Sequence, residues 1–112
     1  MAKLKTELIR NSNAWTLKLI GNLDSDTSHL MWSVESSASL LKELLQAGAD
    51  KLFIDLFATE SVDSHGLRHL LNAHKEFSKE DVEIVLQNPN SHLRRLFRIM
   101  QFDRIFVIET GG

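Results

Sequence analysis

Val62-Asp63-Ser64-His65-Gly66-Leu67 is the stretch whose reading decides this chain. Upstream, Leu52 to Phe57 is an apolar run broken only by Asp55, as expected of a strand inside a parallel or mixed sheet. Downstream, Leu67, Leu70, Leu71 and His74 recur at helical spacing. Ser64 therefore falls at a strand-to-helix junction. There the first backbone N–H groups lack partners inside the helix and the macrodipole favours negative charge. Two uses are open to a hydroxyl in this place. It can cap the helix, worth about 1 kcal/mol, or it can be a site where phosphate is added and removed, an anion that a helix start accommodates. Gly66, in the same turn, costs up to ~1 kcal/mol against alanine unless something needs the space, either a partner's backbone or a neighbouring loop.

Working outward, Leu4, Thr6 and Leu8 alternate with Lys5, Glu7 and Ile9. Asn11-Ser12-Asn13 signals a turn, and Trp15, Leu17 and Leu19 resume period two up to Gly21, which predicts an antiparallel hairpin. Capping side chains crowd Asn22 to Thr27, and Leu30, Val34, Leu41, Leu44 and Leu45 follow at helical period. This predicts a helix from about Asp26 to Gln46, stopped near Gly48. Leu30, Met31 and Trp32 stand in succession and cannot all face inward, so one is expected at an interface. The helix opened by the central stretch runs to about Phe77. Val82 to Leu86 is a further strand, Asn88-Pro89-Asn90-Ser91 a loop and cap, Leu93, Leu96, Phe97 and Met100 an amphipathic helix, and Ile105 to Ile108 a last strand. The order β-β-α-β-α-β-α-β predicts a single α/β domain over residues 1–110, a mixed sheet of about five strands backed by helices on one face, with residues 111–112 frayed.

Composition narrows the function. The 112 residues carry a formal charge of −2 with the basic side chains scattered, which argues against a nucleic-acid backbone as partner. Absence of cysteine removes disulfides, thiolate metal sites and thiol catalysis. No apolar run approaches ~20 residues and the start lacks the apolar core of a signal peptide, so the expectation is a cytoplasmic protein without membrane insertion.

Four blocks then carry a resemblance: Leu19-Ile20-Gly21-Asn22-Leu23-Asp24, Leu52-Phe53-Ile54-Asp55-Leu56, the central stretch, and Asn88-Pro89-Asn90-Ser91-His92-Leu93-Arg94-Arg95-Leu96-Phe97. In this order and spacing they resemble the STAS domain, the fold of bacterial anti-anti-sigma factors. The resemblance implies a switch without catalytic residues, metal or cofactor of its own. The unmodified form binds an anti-sigma factor that is also a serine kinase and so frees a sigma factor. The kinase phosphorylates the serine directly after the aspartate, which by position is Ser64, and a phosphatase resets it. ATP and Mg²⁺ belong to the kinase. The implied partner surface takes in Asp24, Ser25 and Asp26 after the second strand, and Asp63, His65 and Gly66 at the helix start. His65 departs from the small residue usual in the family, and many members carry a further C-terminal helix. Oligomeric state is not legible.

Other readings compete. Within the same fold, the chain is a non-switching STAS subunit of a transporter or signalling scaffold. Outside it, Asp63-Ser64-His65 suggests a small hydrolase, but adjacent residues at a helix start point in different directions and a triad is built from separated segments. His65 and His69, four apart, read as a solvated pair rather than a metal site, since no third ligand stands near. His74 reads as a satisfied, partly buried histidine, Trp15 and Trp32 as core or rim packing, and Arg94, Arg95 and Arg98 as a solvated helix face.

Overall fold

A computed structural model of the chain describes residues 5–23 and 34–110. The expectations for Asp24, Ser25, Asp26, Leu30, Met31, Trp32 and the terminal 111–112 lie outside the described residues. The elements are β1 (Lys5–Ile9), β2 (Ala14–Leu23), α1 (Val34–Gln46), β3 (Lys51–Asp55), β4 (Thr59–Val62), α2 (Ser64–Lys79), β5 (Glu83–Gln87), α3 (Ser91–Ile99) and β6 (Val107–Glu109), with a 3₁₀ turn at Phe102–Arg104 before the last strand.

The hairpin forms as the alternation requires. Ala14 N–H donates to the Asn11 carbonyl at 2.9 Å across the Asn11-Ser12-Asn13 turn, and β1 pairs antiparallel with β2. All other pairings are parallel, in the order β1-β2-β3-β5-β6, so the sheet is mixed. Period two on β2 and β3 sends Trp15, Leu17, Leu19, Leu52 and Ile54 to one face, where they are buried. Leu44 of α1, Leu67, Leu70, Ala73 and Phe77 of α2, and Leu93 and Phe97 of α3 join the same core cluster, so the helices back a single face of the sheet. The other face of β3 is only half covered at Lys51, Phe53 and Asp55, unlike the two-sided burial its apolar run suggested.

Gly48 ends α1 with φ +74. Ala49 N–H reaches the Leu44 carbonyl at 2.9 Å and Gly48 N–H the Leu45 carbonyl at 3.1 Å, the paired bonds of a Schellman cap, in a conformation that glycine adopts without steric cost.

The sheet departs from expectation in one consequential place. The strand expected through Phe57 ends at Asp55, whose Oδ1 accepts the Phe57 N–H at 3.0 Å and turns the chain, leaving Phe57 81% exposed. The chain then makes a sixth strand, β4, that pairs parallel with the far end of β2. Gly21, at φ 116, absorbs the register shift there, and β2 runs on to Leu23. Thr-Glu-Ser-Val carries too little apolar pattern to be read as a strand. Its anchor is polar: Thr59 is 1% exposed and its hydroxyl donates to the Leu19 carbonyl at 2.6 Å. At the other end, Met100 is 49% exposed rather than on the buried stripe of α3. Ile105 and Phe106, the expected start of the last strand, instead close the end of the 3₁₀ turn by donating to the Phe102 carbonyl, which delays β6 to Val107.

Candidate functional site

β4 delivers the chain to the start of α2. Asp63, in extended conformation, is the N-cap residue: its Oδ1 accepts the N–H groups of His65 and Gly66, each at 3.0 Å, and its carbonyl accepts from Leu67 N–H at 2.9 Å. The capping role weighed for Ser64 thus belongs to Asp63. An aspartate satisfies two of the orphan amides and adds a negative charge at the positive end of the helix. Ser64 is the first residue of the helix and is exposed, as is His65, whereas Gly66 is buried by its own chain.

The support beneath this corner is Asn90. Its Oδ1 accepts Leu93 N–H at 2.8 Å and so caps α3, while its Nδ2 donates to the carbonyls of Thr59 at 3.3 Å and Glu60 at 3.2 Å. One side chain thereby ties the start of α3 to the strand that leads to Ser64. Its cap role was legible in Asn88-Pro89-Asn90-Ser91. The tie to β4 was not, because β4 itself was not.

One turn beyond Ser64, His69 is half-buried. Its pKa is lowered from the usual histidine value, first by loss of solvent and then by the neighbouring His65 and Arg68. His65 and His69 lie four apart on the helix, and no group of three or more metal-binding side chains gathers among the described residues. His74 is half-buried against Phe106, ring centroids 4.9 Å apart, and its buried Nδ1 finds no hydrogen-bond partner among the described residues, where a satisfied histidine was expected. Arg94, Arg95 and Arg98 are exposed, as read, and Trp15 is in the core.

The STAS domain model matches residues 5–111. The chain belongs to the STAS domain family. No curated protein matches it. Among solved structures it is similar to a Thermotoga maritima protein described as an anti-sigma factor antagonist, with 24% identity and a TM-score of 0.79 over 95% of this chain and 86% of that one. It is also similar to the anti-sigma factor antagonist SpoIIAA in its unphosphorylated form, with 16% identity and TM-score 0.66 over 97% and 88% of the two chains. The phosphorylated form of SpoIIAA, the Bacillus cell fate determinant, aligns with 17% identity and TM-score 0.65 over 96% and 91%. These likenesses establish the STAS fold. No helix among the described residues is long and apolar enough to cross a membrane.

Proposed function

We propose that this STAS domain is an anti-sigma factor antagonist, a binding switch controlled by phosphorylation of Ser64 that catalyses nothing itself. The unmodified form binds an anti-sigma factor with serine-kinase activity and releases a sigma factor, the kinase turns the switch off, and a phosphatase restores it. The observation that carries this reading is the division of labour at the start of α2. Asp63 makes the cap, which leaves the Ser64 hydroxyl exposed and without a structural duty among the described residues.

The physical effect expected of the modification is local. A phosphate adds about −1.5 to −2 charges beside the Asp63 carboxylate, and two of the helix-start amides, those of His65 and Gly66, are already engaged by that carboxylate. With those two amides taken, the helix start neutralises the new charge only in part, and the remainder faces a docked partner. A carboxylate of the partner ~6 Å away is repelled by on the order of 4–5 kcal/mol at an effective dielectric of ~20 before salt screening. About 1.4 kcal/mol already changes affinity tenfold. Both the unphosphorylated and the phosphorylated form of SpoIIAA share the fold of this chain, in keeping with a switch that acts on the interface and leaves the fold in place.

The test is a pull-down from the native host with Ser64→Ala and Ser64→Asp, together with intact-mass analysis of the native protein. The switch predicts a kinase retained by the alanine variant and lost by the aspartate variant, and a species one phosphate heavier that maps to Ser64. Equal kinase binding by both variants refutes it.

A further inference from the structure

The helices pack on one side of the sheet, and the opposite side has a pattern of its own. Register aligns Ile9, Thr16, Phe53, Val85 and Val107 in one row from β1 across to β6. None of these five is in the core cluster, though Val85 is buried at 1% exposure and Thr16 and Phe53 are half-buried. Ile9 is 42% exposed and Val107 50%, so the two ends of the row offer apolar surface to solvent. On one side of it lies a row containing Lys51 and Glu83, and on the other a row containing Lys18, Asp55 and Gln87. The Lys51 ammonium sits 5.8 Å from the Phe53 ring centroid, at the boundary between charge and hydrocarbon.

We propose that a second copy of this chain docks on this face, about a two-fold axis that runs along the apolar row. Such an axis places the row against itself and exchanges the flanking rows. Lys51 of each copy then faces Asp55 of the other, with the two β3 strands antiparallel. The other in-plane axis, along β3, sets Lys51 on Lys51 and Asp55 on Asp55. The sign pattern thus selects one arrangement and rejects its rival, and it is self-complementary, as an isologous contact must be. Sheets stack ~10 Å apart at about −30°, a gap that a lysine and an aspartate together span.

Area sets the strength. Five strands at ~4.8 Å spacing and about five residues at ~3.3 Å rise give roughly 400 Å² per copy. That is about half of the ~800 Å² that each partner contributes to a standard interface, so the dimer is weak and depends on concentration. Because α2 packs on the opposite face, Ser64 remains accessible in both copies. The association is independent of the switch.

Analytical ultracentrifugation of the full chain from about 10 to 500 µM, a window suited to an interface of this size, tests the proposal. The weight-average sedimentation coefficient is expected to rise from monomer towards dimer. Lys51→Glu, which sets like charges against Asp55 of the other copy, is expected to raise the dissociation constant about tenfold or more. Val107→Lys, at an exposed edge position, is expected to do the same, while Ser64→Ala leaves it unchanged. Circular dichroism checks that each variant is folded, and Val107→Lys serves alone if Lys51→Glu is not. A protein that stays monomeric throughout, or a dimer indifferent to the folded variants, overturns the proposal.

Discussion

One carboxylate oxygen of Asp63 holds the N–H groups of both His65 and Gly66 at 3.0 Å, stepping over the intervening Ser64. The residue with the hydroxyl and the residue that does the capping are therefore adjacent but distinct, and mutation separates them. Asp63→Ala strands two amides at the helix start and is expected to cost about 1 kcal/mol, within a range of ~0.5–2. Ser64→Ala removes an exposed hydroxyl and is expected to stay within about 0.5 kcal/mol of the parent. Urea denaturation of both variants measures the difference. A Ser64→Ala penalty equal to that of Asp63→Ala would return the serine to a structural role.

Asn90 carries more than a cap. Asn90→Ala loses the bond to Leu93 N–H and both bonds to the β4 carbonyls, and about 2 kcal/mol of destabilisation is expected from a cap of ~1 kcal/mol and partly exposed hydrogen bonds of ~0.5 kcal/mol each. Asn90→Asp keeps the cap acceptor but sets a carboxylate oxygen against the Thr59 and Glu60 carbonyls, so it should be destabilised despite its intact cap. If β4 is tied down in this way, amide exchange at Glu60 and Ser61 should quicken in both variants. Unchanged exchange there would mean that β2 alone holds the strand.

How far the sequence carried this reading follows from what each element is made of. β2 announces itself by apolar residues at period two, β3 and β5 by short apolar runs, and α2 and α3 by leucine and phenylalanine at helical period, because in each of them burial of large side chains is the organising force. β1, none of whose residues is buried, is legible only as the loosely alternating partner of β2 across a turn. β4 was illegible because a buried threonine hydroxyl and a neighbour's asparagine hold it, and such polar bonds leave no periodic trace. At the candidate site, the junction and the exposed serine were legible from the strand-to-helix switch. The choice between Asp63 and Ser64 as cap was not, since both are good capping residues and only backbone geometry assigns the position.

His74 offers a test of an imperfect core. Among the described residues its buried Nδ1 has no partner while the ring packs 4.9 Å from Phe106, so no protein hydrogen bond there offsets the desolvation of that atom. Replacing it by an apolar side chain that occupies the same space removes that penalty. His74→Leu is expected to be neutral or to stabilise by up to about 1 kcal/mol, against the usual destabilising tendency of core substitutions. A loss above ~1 kcal/mol by chemical denaturation would show that the imidazole contributes packing that leucine cannot replace.

His69 gives stability a pH dependence whose sign can be worked out. Partial burial, then His65 and Arg68, lower its pKa in the folded state below the ordinary value of 6.5. Below that value the unfolded chain takes up a proton that the folded chain resists, so unfolding binds protons and stability falls as pH drops. The loss begins near the unfolded pKa and levels off once pH is below the folded one. Two changes should flatten this decline between about pH 7 and 5, the span over which an ordinary histidine titrates. His69→Gln removes the titrating group, and His65→Gln removes one of the two neighbouring positive charges. The second variant is the more informative, because it leaves His69 in place and alters only its surroundings. Histidine ring shifts followed by NMR should show the His69 pKa rising towards 6.5 in His65→Gln. A titration midpoint that does not move would leave burial and Arg68 as the sole causes and detach His65 from the electrostatics of this helix face.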